Sequence, residues 1–144
     1  MAAVHGKDAH LQIDNAAGSL ANVSDYADDI SMPQELSADE TTTFANTGEK
    51  TYISGLADAK VSCSGKFDPT IDTHMGALYA AFIAGTVTTA SFEYGPAGNA
   101  NGKPKRSGEL IMTSYEVSSK TSDVVEWKAE FQVTGAVTRG TYSG

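Results

Sequence analysis

At 144 residues the chain suits a single domain able to bury roughly two-thirds of its unfolded surface, and no apolar run approaches the ~18 residues of a membrane span, so no membrane insertion is expected. Its single cysteine, Cys63, excludes an intramolecular disulfide and any multi-cysteine zinc site. The net charge of −8 excludes the clustered basic footprint of a nucleic-acid binder, and it is unevenly placed: residues 1–58 carry ten acids against Lys7 and Lys50, while residues 59–144 carry eight of each sign.

The opening MAAVHGKDAHLQID lacks the basic start and apolar core of a secretory signal, so cytoplasmic synthesis is expected, with residues 1–9 as a flexible arm. Residues 10–13 (HLQI), a turn at 15–18 and residues 20–23 make a first hairpin. Residues 25–34 (DYADDISMPQ) follow as a strand broken or bent at Pro33, because proline cannot donate to a ladder. From residue 35 to 55 the composition turns to Thr, Glu and Gly, with Phe44, Tyr52 and Ile53 spaced along it. This is a long connection, and connections beyond about 12–15 residues are usually functional or disordered. Its apolar residues argue against disorder; an Ω-loop folded onto its own domain is the plainer alternative.

Residues 57–68 alternate, with Ala59, Val61, Cys63, Gly65 and Phe67 on a dry face and Lys60, Ser62, Ser64 and Lys66 on a wet one, which predicts a strand. Cys63 on the dry side reads as a small buried hydrophobe. The period then changes. Over residues 68–85 Ile71, Met75, Leu78 and Phe82 fall at i, i+4, i+7 and i+11, predicting a helix capped by Asp68, with Pro69 in its first turn, Asp72 near its positive end and Gly85 as its stop.

Residues 87–94 make a strand with Ala90, Phe92 and Tyr94 on one side. The Gly-, Pro- and Asn-rich stretch 95–108 reads as a loop whose Lys103, Lys105 and Arg106 form a solvated tip. In the next strand, 109–117, the alternation puts Ile111, Thr113, Tyr115 and Val117 on the drier side, and 118–123 turns it into the most telling stretch of the chain. There Val125, Trp127, Ala129, Phe131 and Val133 alternate with Glu126, Lys128, Glu130 and Gln132, a period of two that helical spacing cannot accommodate. Such a strand, about 11 residues and roughly 37 Å long, belongs to a large antiparallel sheet with one wet face. Residues 138–144 read as a flexible tail. The expected core includes Phe67, Leu78, Phe82, Phe92, Trp127 and Phe131. The fold class is mainly β, a β-sandwich or partly closed antiparallel barrel with one flanking α-helix.

Reactive chemistry finds no support. His5, His10 and His74 are not spaced as ligands, Asp28 and Asp29 point to opposite faces of a strand, and no nucleophile elbow, phosphate loop or zinc-protease motif is present. Neither a cofactor, a metal nor an enzymatic activity is expected.

Laid out in this way, the chain resembles the major tail (tail tube) proteins of long-tailed bacteriophages. The likeness runs from about residue 10 and rests on Thr42–Phe44, on Gly55 to Asp58 (GLAD), on Phe67–Asp68 ahead of the helix, and on the ending Gly135 to Gly140 (GAVTRG). It implies a virion protein, assembled in the bacterial cytoplasm, whose hexameric rings stack into the tube through which double-stranded DNA leaves the capsid. The implied partners are further copies of itself and other tail proteins: tape measure, tail terminator and distal tail protein. The resemblance makes residues 35–55 an inter-subunit loop, with Thr42, Phe44, Tyr52 and Ile53 as contacts. It makes Glu93, Glu109, Glu126 and Glu130 candidates to face the lumen. A β-sandwich binding module, such as a minor tail or capsid-decorating protein, is the other reading of the same sheet.

Overall fold

The computed structural model describes residues 5–44 and 48–143. Eight strands, β1 (His10–Asp14), β2 (Leu20–Asn22), β3 (Asp29–Ser31), β4 (Gln34–Glu40), β5 (Tyr52–Lys66), β6 (Ala90–Gly95), β7 (Pro104–Ser118) and β8 (Glu126–Thr141), form one antiparallel sheet. Their order is β2-β1-β6-β7-β8-β5-β3, with β4 pairing β5 off this path, and the sheet curls into an open half-barrel. The partly closed barrel with one flanking helix is therefore the architecture observed.

The alternation in β8 does what its pattern demands. Trp127, Ala129, Phe131 and Val133 are buried, and Glu126, Lys128 and Glu130 are exposed. The dry side of β5, Ala59, Val61 and Cys63, lies in register beside them, with Cys63 opposite Ala129 and Val61 opposite Phe131. The helix closes over this face in three parts, α1 (Pro69–Ile71), a wider π turn (Asp72–Gly76) and α2 (Ala77–Ala84). Asp68 accepts from the Thr70 N–H at 2.8 Å, which caps the start and holds its carboxyl below the usual range. Gly85 ends it in the left-handed region at φ 79°, its N–H on the Ala81 and Phe82 carbonyls. Ile71, Met75 and Leu78 join Leu11, Ile13, Phe92, Leu110, Trp127 and Phe131 in one cluster, while Phe67 and Phe82 pack against it half-buried.

Four expectations are corrected. The connection expected over residues 35–55 is not a loop at its two ends: residues 35–40 and 52–55 pair as parts of a β4–β5 ribbon, because backbone hydrogen bonding there does not depend on an alternating pattern. In β7 the buried residues are Leu110 and Met112, and Ile111 is exposed. Thr113 is exposed as well; a bulge between Met112 and Ser114 inserts one extra residue, so the faces exchange partway, Tyr115 comes opposite Ala129 half-buried, and Val117, though opposite Trp127, is 42% exposed. The loop at 95–108 is shorter than read, since β7 begins at Pro104, and residues 138–141 are strand rather than tail, paired with Pro104, Lys105, Arg106 and Ser107. Of the N-terminal arm, residues 6–8 form a single 3-10 turn; residues 1–4, 45–47 and 144 lie outside the described residues.

Burial also settles the thiol. Cys63 is 2% exposed, and the apolar surroundings push it up to about 12. Below pH 9.0, the ordinary thiol value, this group does not alter stability; above it the unfolded chain loses its proton first, so stability falls as pH rises toward about 12. A thiol reagent at pH 8 is expected to leave the folded protein unmodified by mass and to label it stoichiometrically once denaturant unfolds it. Fast labelling of the native chain would show that β5 opens.

Candidate assembly surface

Two surfaces stand out, and neither is a pocket with reactive chemistry. The first is the β4–β5 ribbon. β5 leaves β8 beyond the Lys60–Gln132 pair, so its first half is held only by β4, and every residue of β4 is exposed. The ribbon is closed near its tip by the Thr41 N–H on the Thr51 carbonyl at 2.8 Å and by the Thr51 N–H on the Thr42 hydroxyl oxygen at 2.9 Å. Phe44 is fully exposed beyond it; Tyr52 (54% exposed) and Ile53 (58%) are strand residues opposite Glu40 and Asp39. Leu36 (62%) and Leu56 (86%) complete the apolar set and were missed by sequence reasoning. Leu56 carries a signal, the GLAD motif, whereas Leu36 sits alone among polar residues and carries none. Between the ribbon and the sheet lies a cleft of about 310 Å³ lined by Glu35, Ala57, Asp58, Val133, Gly135 and Val137 among others.

The second is the polar face of the sheet, opposite the helix. All four candidate carboxylates belong to it, since each alternates with a buried neighbour on its strand. Glu126 pairs with Lys66 at 3.5 Å, Glu130 with Lys128 at 3.7 Å and Glu93 with Lys105 at 3.9 Å. Glu109 has no lysine partner among the described residues; it accepts from Thr89 at 3.1 Å and from Ser91. The face is therefore a mixed-charge surface rather than the uniformly acidic one the glutamates alone suggest. At its end Lys105 also lies 5.3 Å from the ring centre of Tyr142, whose hydroxyl is pushed up by burial and then by Glu93.

His5 is exposed and accepts from the Lys7 N–H at 3.1 Å, and the His10 ring meets Tyr142 edge-on with ring centres 6.5 Å apart. His74 is buried in the π turn with Nε2 3.0 Å from the Ile13 carbonyl, tying helix to sheet, and desolvation holds it below the ordinary histidine value. Tyr115 donates to Asp72 at 2.9 Å from the opposite side; its phenol is pushed up first by burial and then by that carboxylate. Among the described residues no group of three or more His, Cys, Asp or Glu is placed to hold a metal ion. None of the described helices is long and apolar enough to cross a membrane.

No protein-family model and no curated protein matches the chain. Solved structures do. A chain from the tail of an empty gene transfer agent particle, refined helically with C6 symmetry, superimposes with a TM-score of 0.79 at 14% identity, over 96% of this chain and 100% of that one. The SPP1 tail tube matches at 0.70 and 12% identity, over 99% of this chain and 81% of that one. A chain of the six-fold anti-feeding prophage baseplate matches at 0.71 and 6% identity, over 98% and 97%. At these identities the likeness is one of fold: the curled sheet and its helix are those of tail tube structures.

Proposed function

We propose that this chain is the repeating subunit of a phage-type tail tube. Copies close into hexameric rings, the rings stack, and the hollow tube carries double-stranded DNA out of the capsid into the host; the subunit is made in the bacterial cytoplasm and ends in the virion tail. The reading is supported above all by the unsupported ribbon. A two-stranded hairpin is marginal in water by itself, and five exposed large apolar side chains on one are what a neighbouring subunit would bury. The open half-barrel supports it too, since its unpaired edges invite pairing that ring closure would satisfy. The tape measure, tail terminator and distal tail protein are the partners this role implies. Size-exclusion chromatography and electron microscopy of the purified protein test it: rings or tubes are expected, and a monomer that persists at high concentration would overturn it in favour of a solitary binding module.

In the tube the polar face of β6, β7, β8 and the part of β5 paired with β8 lines the bore, and the β4–β5 ribbon reaches beyond it toward a neighbouring copy. The helix and core occupy the other side of the sheet, so the bore receives Glu93, Glu109, Glu126 and Glu130 with the lysines that partly neutralise them. Per pair the repulsion of phosphate is weak, about 1 kcal/mol at 4 Å in water and screened beyond roughly 8–10 Å, but it repeats around every ring. Exposed ion pairs contribute only about 0–1 kcal/mol, so replacing Glu126 and Glu130 by lysine is expected to leave folding intact. Virions carrying both changes are expected to eject DNA more slowly, with a delay that salt relieves. Ejection at the wild-type rate in low salt would move this strand to the outer wall.

A further inference from the structure

Two cross-strand pairs in the sheet bring like charges directly opposite one another, and they have opposite signs. Glu35 faces Asp58 across β4 and β5; Arg106 faces Arg139 across β7 and β8. Directly opposed like charges destabilise a sheet, so each pair is unfavourable in the isolated subunit. Among the described residues none of the four has an oppositely charged partner: Asp58 accepts from the Gln132 amide, and Arg106 donates to the Lys105 carbonyl at 3.4 Å. Glu35, Asp58 and Arg139 are exposed, and Arg106 is half-buried.

A single copy cannot bring the two pairs together. Along β5, Asp58 shares the polar side with Lys60, whereas along β7 Arg106 shares a row with Gly108 and the buried Leu110. The acidic pair thus faces one side of the sheet and the basic pair the other. The imbalance extends beyond the four residues. Asp39 and Glu40 continue the acidic ribbon, and Lys103 adds to the basic end of β7.

We infer that the Glu35–Asp58 pair of one copy docks on the Arg106–Arg139 pair of a second copy. The surfaces differ, so the contact is head to tail, the kind that repeats around a ring or along a filament instead of stopping at a dimer. It rests on the tube reading and names which patches of the subunit meet. Oppositely charged patches also steer copies into register before the apolar ribbon residues engage. Lys105 takes no part, because Glu93 already holds it at 3.9 Å.

Charge reversal tests the pairing. Two variants are made, Glu35→Lys with Asp58→Lys, and Arg106→Glu with Arg139→Glu, and each is checked for folding by circular dichroism and thermal melting. Assembly is followed by light scattering and electron microscopy. Each variant alone is expected to assemble about tenfold or more weakly than wild type at about 0.1 M salt. An equimolar mixture is expected to recover, because each reversed patch then meets a reversed partner. Should a double variant misfold, the exposed single changes Glu35→Lys and Arg139→Glu give the same comparison. Raising salt to about 1 M, where the Debye length is about 3 Å, is expected to shrink the difference between wild type and variants. Variants that assemble as wild type does, or a mixture of folded variants that fails to recover, would overturn the pairing and leave the tube reading standing. A wild-type chain that never assembles would overturn both.

Discussion

Replacing Trp127 with alanine is expected to lower the unfolding free energy by about 3–5 kcal/mol, the largest loss for any single side chain here. The indole is 1% exposed near the start of β8, in register with Gly65 on one side and Val117 on the other, and its Nε1–H donates to the Tyr26 carbonyl at 3.1 Å. That carbonyl also sits where a side chain at Gly65 would be: a Cβ there would lie 2.1 Å from it. The 3-10 turn Ser24–Tyr26 is thus pressed onto β5 by close backbone approach and anchored from below by the indole. Removing the ring opens a cavity and leaves the Tyr26 carbonyl without this donor. Trp127→Phe separates the two effects, since it keeps most of the apolar area and is expected to cost less, including about 0.5–1.5 kcal/mol for the hydrogen bond. Ile83→Ala, at a position 72% exposed, is the control and is expected to stay within about 0.5 kcal/mol of wild type. Urea unfolding below the assembly concentration measures all three; a Trp127→Ala midpoint equal to that of Ile83→Ala would mean the β8 face is not the core.

What could be read from the sequence was what repeats. β8 and the second half of β5 alternate without interruption, so their buried rows followed from the letters alone, and the helix announced itself through its stripe, its Asp68 cap and its Gly85 stop. β7 failed for a physical reason: a bulge moves the core-facing row from even to odd positions, and a pattern averaged over the whole strand hides the crossing near Met112. A second irregularity, in β8 at Gly135 with φ +82°, lets residues 138–141 keep pairing where the small and polar letters of 138–144 (TRGTYSG) suggested a tail. The ribbon was misread because strand signals are packing signals. Periodicity arises where one face is buried, and along residues 34–40 neither face is. The candidate surface was accordingly only half visible: Phe44, Tyr52 and Ile53 stood out as apolar residues in a polar segment, while the opposed pairs Glu35–Asp58 and Arg106–Arg139 depend on register, which no single strand carries.

Removing the ribbon's tip is expected to abolish polymerisation and leave the subunit folded. The tip lies beyond the last cross-strand pair, Glu40 opposite Tyr52, and no residue of β4 belongs to the buried core. Joining Glu40 to Tyr52 through Asn-Gly in place of residues 41–51 supplies a two-residue turn suited to hairpins, so the remaining ladder has a closure of its own. The thermal midpoint is therefore expected to stay near wild type. Assembly is another matter, because Phe44 at the tip is the most exposed large apolar side chain described, and aromatic anchors at interface centres typically cost about 2 kcal/mol or more when truncated, a loss of about 30-fold in affinity. Phe44→Ser and Leu56→Ser are expected to reproduce part of that loss without shortening the chain. Hydrogen exchange reads the same event from the backbone: ribbon amides, held by one ladder and open to water, are expected to exchange rapidly in the isolated subunit and to become protected only in the tube. If the shortened chain still builds tubes of normal length, or if the ribbon amides of assembled wild type exchange as fast as those of the free subunit, the ribbon does not join subunits and the contact must be sought on the helix and the sheet edges.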